Sequence, residues 1–112
     1  MARITPDDLD GFRRRRQYPD DTVIRVFTRR TNKPAYPSGW TYALHYGARE
    51  PDPPRTRPDG TIRRYDNAHE DTKGHELHVP GQPTQIIQFP GMVALWQRFW
   101  QEVPKPAFDP TT

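Results

Sequence analysis

The chain has four histidines, at positions 45, 69, 75 and 78, and three of them fall within ten residues beside Asp66 and Asn67. The stretch from Arg63 to Val79 reads RRYDNAHEDTKGHELHV. Imidazole titrates near neutrality, at about 6.5 when unperturbed, so it can take or give a proton under ordinary conditions. Cleavage of RNA by its own 2′-hydroxyl needs a base for that hydroxyl, an acid for the leaving oxygen and a cation for the phosphorane. His69, His75, His78 and Asp66 are therefore the catalytic candidates: three imidazoles as acid–base groups and one carboxylate to orient them. Arg63 or Arg64 supplies the cation. Tyr65, Asn67 and His45 are structural or orienting candidates.

The same residues admit two other readings. Imidazoles with a carboxylate can hold zinc or manganese. His75 and His78 are three apart, however, so a regular strand points them to opposite faces. No metal ligand is assigned on this basis and no cofactor is called for, although a metal-dependent hydrolase stays open as a third reading. The plainer alternative is a polar hairpin. Asp66 and Asn67 readily bond the local backbone, and Asp66 can pair with Arg64 two residues earlier on the same strand face.

The elements that must position these groups follow from periodicity. TVIRVFTRR (22–30) reads as a strand, with Val23, Arg25, Phe27 and Arg29 on one face and Ile24, Val26 and Thr28 on the other. WTYALHYG (40–47) alternates clearly: Trp40, Tyr42, Leu44 and Tyr46 form an aromatic face, with Thr41, Ala43 and His45 opposite. EPDPPRTRPDG (50–60), with four prolines, is a long hairpin connection. Residues 61–68 form a third strand, with Ile62, Arg64, Asp66 and Ala68 on one face and Arg63, Tyr65, Asn67 and the following His69 on the other. Residues 69–74 are expected as a polar turn and 75–79 as a short fourth strand. Met92, Leu95, Trp96, Phe99, Trp100 and Val103 fall at helical spacing on one stripe. That helix is expected to cover the aromatic strand face. Antiparallel pairing could bring either Arg64 and Asp66 or Tyr65, Asn67 and His69 beside His45, and the register stays open.

With 112 residues, of which 32% are hydrophobic and 14 are proline, a single domain with a thin core is expected. The fold class is α+β: a small antiparallel sheet of three to four strands, covered on one face by the C-terminal helix. Residues 1–21 are expected to be a weakly ordered basic arm, although Thr5-Pro6-Asp7-Asp8 has the makings of a helix start. Residues 22–103 form the domain and 104–112 a fraying proline-rich tail. The absence of cysteine excludes disulfides and thiolate zinc sites. No apolar run spans a membrane and no signal-peptide core is visible, so a cytoplasmic protein without membrane contact is expected. The net charge is +3, concentrated at Arg13, Arg14, Arg15 and Arg16. A four-arginine run suits a nucleic-acid backbone.

DGTIRRYDNAH (59–69) and KGHELH (73–78), preceded by WTYALHYG, resemble the TumE-like toxin family of prokaryotic toxin–antitoxin pairs. The resemblance covers residues 40–80 and rests on Arg64, Tyr65, Asp66, Asn67, His69, His75 and His78. It implies a small α+β protein made beside an antitoxin partner, often a DNA-binding helix-turn-helix protein. Together these observations point to a toxin-type protein acting on RNA, as a metal-independent ribonuclease. The alternative is a non-catalytic module that binds nucleic acid or protein.

Overall fold

The computed structural model describes residues 3–111. Its elements run α1 (Pro6–Leu9), β1 (Phe12–Gln17), β2 (Thr22–Arg30), β3 (Trp40–Ala48), β4 (Thr61–Asp66), α2 (Glu70–Lys73), β5 (His75–His78), β6 (Gln85–Ile87) and α3 (Met92–Glu102). The six strands form one sheet in chain order, each antiparallel to the next. The α+β class and the C-terminal helix are as expected. The sheet has six strands rather than three to four, because β1 and β6 add one at each edge.

Alternation sorts the side chains into two faces. Ile24 and Val26 from β2, Tyr42, Leu44 and Tyr46 from β3, Tyr65 from β4 and Leu77 from β5 are buried on one face with Leu95, Trp96, Phe99 and Trp100 of α3. Arg63 and Tyr65 fasten this layer. The Tyr65 hydroxyl donates to Glu102 Oε1 at 2.5 Å, and Arg63 Nη1 lies 3.3 Å from the same oxygen. Arg63, a phosphate candidate in the sequence, therefore faces the helix. The shortest dimension of the molecule is 18 Å. That thickness accommodates the sheet and one helical layer, so the second sheet face is left open.

The loosely ordered N-terminal arm expected from the sequence is instead α1 and a paired strand; Met1 and Ala2 lie outside the described residues. In α1 the Thr5 N–H donates to Asp8 Oδ2 at 2.8 Å, and the Leu9 carbonyl accepts from Thr28 Oγ1 at 2.6 Å. The arginine run follows as β1, an edge strand. Charge suits an edge, where it discourages pairing with other chains. Its side chains also find aromatic partners: Arg13 lies over Phe27, Arg14 over Phe12 and Phe108, and Arg16 over Tyr18. These contacts hold a strand that propensity alone would not support. The C-terminal tail is likewise packed, with Phe108 buried against Trp100 at 4.9 Å between ring centroids. The expected turn after β4 contains the short helix α2.

Candidate functional site

Strand pairing sets one row of side chains straight across the open face. Arg15 pairs with Arg25, Arg25 with His45, His45 with Arg64, and Arg64 with His78. Five strands thus contribute three arginines and two histidines in a single line. Adjacent strands stand about 4.8 Å apart, so His45 and His78 are about 10 Å apart at the backbone, with Arg64 between them. The next row holds Arg13, Phe27, Ala43, Asp66, Glu76 and Ile86.

Over β1 to β4 this face forms a groove of about 830 Å³, whose walls include Arg13, Arg15, Arg25, His45, Arg49 and Arg64. Asp59 is the acidic residue in that wall. His45 lines the groove from β3, between Arg25 and Arg64. Burial, reinforced by Arg25 and Arg64 and opposed by Asp59, lowers its pKa to about 4. The ring is therefore neutral at pH 7 and available to accept a proton. Its Nε2 lies 3.4 Å from Thr61 Oγ1. Gly47 makes room for it: a Cβ there would stand 3.0 Å from two ring atoms of His45 and 2.7 Å from the Gly60 carbonyl oxygen. This is the point where the β3–β4 register shifts.

Beyond Arg64, Asp66 organises the β4–β5 end. Its Oδ2 is 3.0 Å from Arg64 Nε and 3.0 Å from His78 Nε2, and its Oδ1 accepts the Ala68 N–H at 3.2 Å. Asp66 is buried, whereas the His78 side chain is 20% exposed and reachable. Thr84 Oγ1 lies 3.2 Å from His78 Nδ1 and holds the other edge of the ring.

His75 and His69 are elsewhere. His75 points to the core face, one row from Leu77, and stacks on Phe89 at 4.4 Å and on Tyr42 at 5.8 Å. The Tyr42 hydroxyl, kept protonated by burial and by Asp66 and Glu70, lies 2.8 Å from His75 Nδ1. Burial also lowers the pKa of His75, partly offset by Glu70, whose Oε1 is 3.5 Å from Nε2. Neutral His75 thus accepts from Tyr42 and turns its N–H toward Glu70. Glu70 in turn accepts from Ser38 and Asn67. Burial works against its charge, but those bonds outweigh it and keep its pKa low. Asn67 also accepts the Tyr42 N–H at 3.0 Å and donates to the Trp40 carbonyl at 2.6 Å. This network clamps the start of β3 to the β4–β5 turn. His69 is exposed at the N-terminus of α2.

The sequence candidates therefore divide. His78, Asp66, Arg64, Arg13 and Arg15 come to the open face with His45. His75, Arg63, Arg16, Tyr65 and Asn67 lie on the core side, Arg14 borders the groove but sets its guanidinium over Phe12 and Phe108, and His69 stands apart from both faces. Arg25, Arg49 and Gly47 were not singled out by sequence. Alternation already set Arg25 on one strand face with Val23, Phe27 and Arg29, but only pairing shows that His45 is its neighbour.

Comparison with curated proteins and with solved structures finds no match. The family described as toxin TumE matches residues 3–106. With nearly all of its length so matched, the chain belongs to the TumE toxin family.

Proposed function

We propose that the open face is an RNA-cleaving surface and that the chain acts on RNA as the toxin of a toxin–antitoxin pair, without a metal. Membership of a toxin family supports the broader part of this reading, including an antitoxin partner. The observation that carries the chemical part is the cross-strand row Arg25–His45–Arg64–His78. It sets a phosphate-binding cation between two imidazoles on one accessible face.

In this reading Arg25 and Arg64 hold the scissile phosphate. His45 takes the proton of the 2′-hydroxyl as its oxygen attacks phosphorus. The 5′-oxygen leaves with a proton from His78, whose ring is oriented by Asp66 and Thr84. The products are a 2′,3′-cyclic phosphate and a 5′-hydroxyl. His45 is a weak base in the free protein, first because burial penalises its charged form and then because Arg25 and Arg64 discourage a third positive charge. An arriving phosphate offsets both arginines and raises its basicity, while burial continues to hold it down. His69 and His75 have no part in this step, since one stands off the face and the other is locked in the core.

The test is cleavage of single-stranded RNA by tag-free protein in excess chelator. His45→Ala and His78→Ala are each expected to lower the rate at least about 100-fold, the usual scale for losing an acid–base group. His69→Ala is expected to leave the rate unchanged. Cleavage that survives the His45→Ala/His78→Ala double substitution removes these assignments. Salt-sensitive binding with intact RNA favours the non-catalytic module instead.

A further inference from the structure

One carboxylate on the open face is unexplained by this chemistry. Glu76 lies directly opposite Asp66 across the β4–β5 pair. It is half-buried, and among the described residues it has no hydrogen-bond or ion-pair partner. Like charges directly opposite one another on neighbouring strands are destabilising. Arg64 and His78 both bond Asp66 and leave Glu76 uncompensated. One ligand atom each from Asp66, Glu76 and His78 lies within 4.8 Å of the others. Donors around tetrahedral zinc stand about 3.3 Å apart, so side-chain rotation of about an ångström brings these three into range. The sheet supplies what sequence spacing does not, since the ligands come from two strands and meet on one face.

We propose that Asp66, Glu76 and His78 form a site for a zinc-class divalent metal, and that filling it silences the acid–base face. An imidazole nitrogen with two carboxylates suits a late first-row ion better than magnesium or calcium. Thr84 Oγ1, 3.2 Å from His78 Nδ1, is placed to accept the Nδ1 proton once Nε2 is bound, the usual support for a metal-ligating imidazole. Binding replaces the His78–Asp66 hydrogen bond with two metal–ligand bonds. The imidazole can then no longer hand a proton to a leaving oxygen. The silencing half of this inference rests on the proposed RNA chemistry, but the metal site does not.

Titration calorimetry with zinc chloride alone, on tag-free protein, reads the site directly. One ion per chain is expected. Glu76→Gln is expected to weaken binding at least about 10-fold, and His69→Gln to leave it unchanged. In metal-free RNA cleavage Glu76→Gln should match the wild type, and added zinc should inhibit the wild type well before it inhibits Glu76→Gln. No binding at 100-fold molar excess of zinc, or equal affinity in the wild type and Glu76→Gln, would overturn the site. Zinc that accelerates cleavage would overturn the silencing. A protein that cleaves no RNA yet binds zinc through Glu76 would refute the nuclease reading and leave the metal site standing.

Discussion

His45 shows how position changes what a residue type can do. By sequence it is one imidazole on a strand. In the fold it is partly buried and flanked by Arg25 and Arg64, with Asp59 as the opposing charge, and its pKa falls from 6.5 to about 4, mainly through burial. The pH dependence of kcat/KM reports groups in the free enzyme. On the proposed chemistry, kcat/KM should therefore hold its value as pH falls past 6.5 and decline only toward pH 4, if His45 is the base. Arg25→Gln removes one repelling charge and should move that acid limb upward. The limb of kcat should lie higher than that of kcat/KM, because bound phosphate offsets the arginines. A wild-type kcat/KM limb at the ordinary histidine position, or one that ignores Arg25→Gln, would contradict the role given to His45.

At the scale of elements, β1 divides four adjacent arginines between two tasks. Arg13, Arg14 and Arg15 all border the groove, but the guanidinium of Arg14 lies over Phe12 and Phe108, and that of Arg16 over Tyr18. Charge reversal should separate them. Arg13→Glu/Arg15→Glu is expected to weaken binding of a non-cleavable 2′-methoxy RNA and to lower the slope of log affinity against log salt by about 1.4, about 0.7 per lost phosphate contact. Arg14→Glu/Arg16→Glu should leave that slope nearly unchanged and lower Tm, since each cation–π contact contributes on the order of 0.5–1 kcal/mol. Fluorescence anisotropy across a salt series, with thermal melts, reads both. Equal slope changes in the two pairs would mean that RNA does not use the open face.

For the whole molecule, one face of the sheet carries stability and the other carries charge. The two requirements meet in the pH dependence of folding. His45 has a folded pKa below its unfolded value, so the unfolded chain binds more protons between pH 4 and 6.5. Its contribution is complete above pH 6.5 and is lost as pH falls toward 4. The shift corresponds to at most about 3 kcal/mol, reduced by solvent screening at a partly open groove. His75, lowered by burial, acts in the same direction. Melts from pH 7 to 4 should show Tm falling with acid, and His45→Gln should flatten that fall. A profile as steep in His45→Gln as in the wild type would place the acid sensitivity elsewhere.

The sequence by itself determined the central strands, the C-terminal helix and which side chains share a face. Periods of two and near four, read along one segment, need no knowledge of any other segment. WTYALHYG and GMVALWQRFWQEV are legible for that reason. The helical start at Thr5-Pro6 and the Arg64–Asp66 pairing were legible too, because they involve residues close in sequence. The tertiary structure decided everything that depends on register. It made β1 a strand, since its arginines are held by Phe12, Phe27, Tyr18 and Phe108, which no local propensity reveals. The spacing of His75 and His78 already put them on opposite strand faces, but only the folded sheet made His78's face the open one and His75's the core. It also set His45, distant in the chain, one strand from Arg64. Side-chain direction is a local property of the backbone, whereas which side chains become neighbours is set by pairing between strands, and only the folded sheet establishes that pairing.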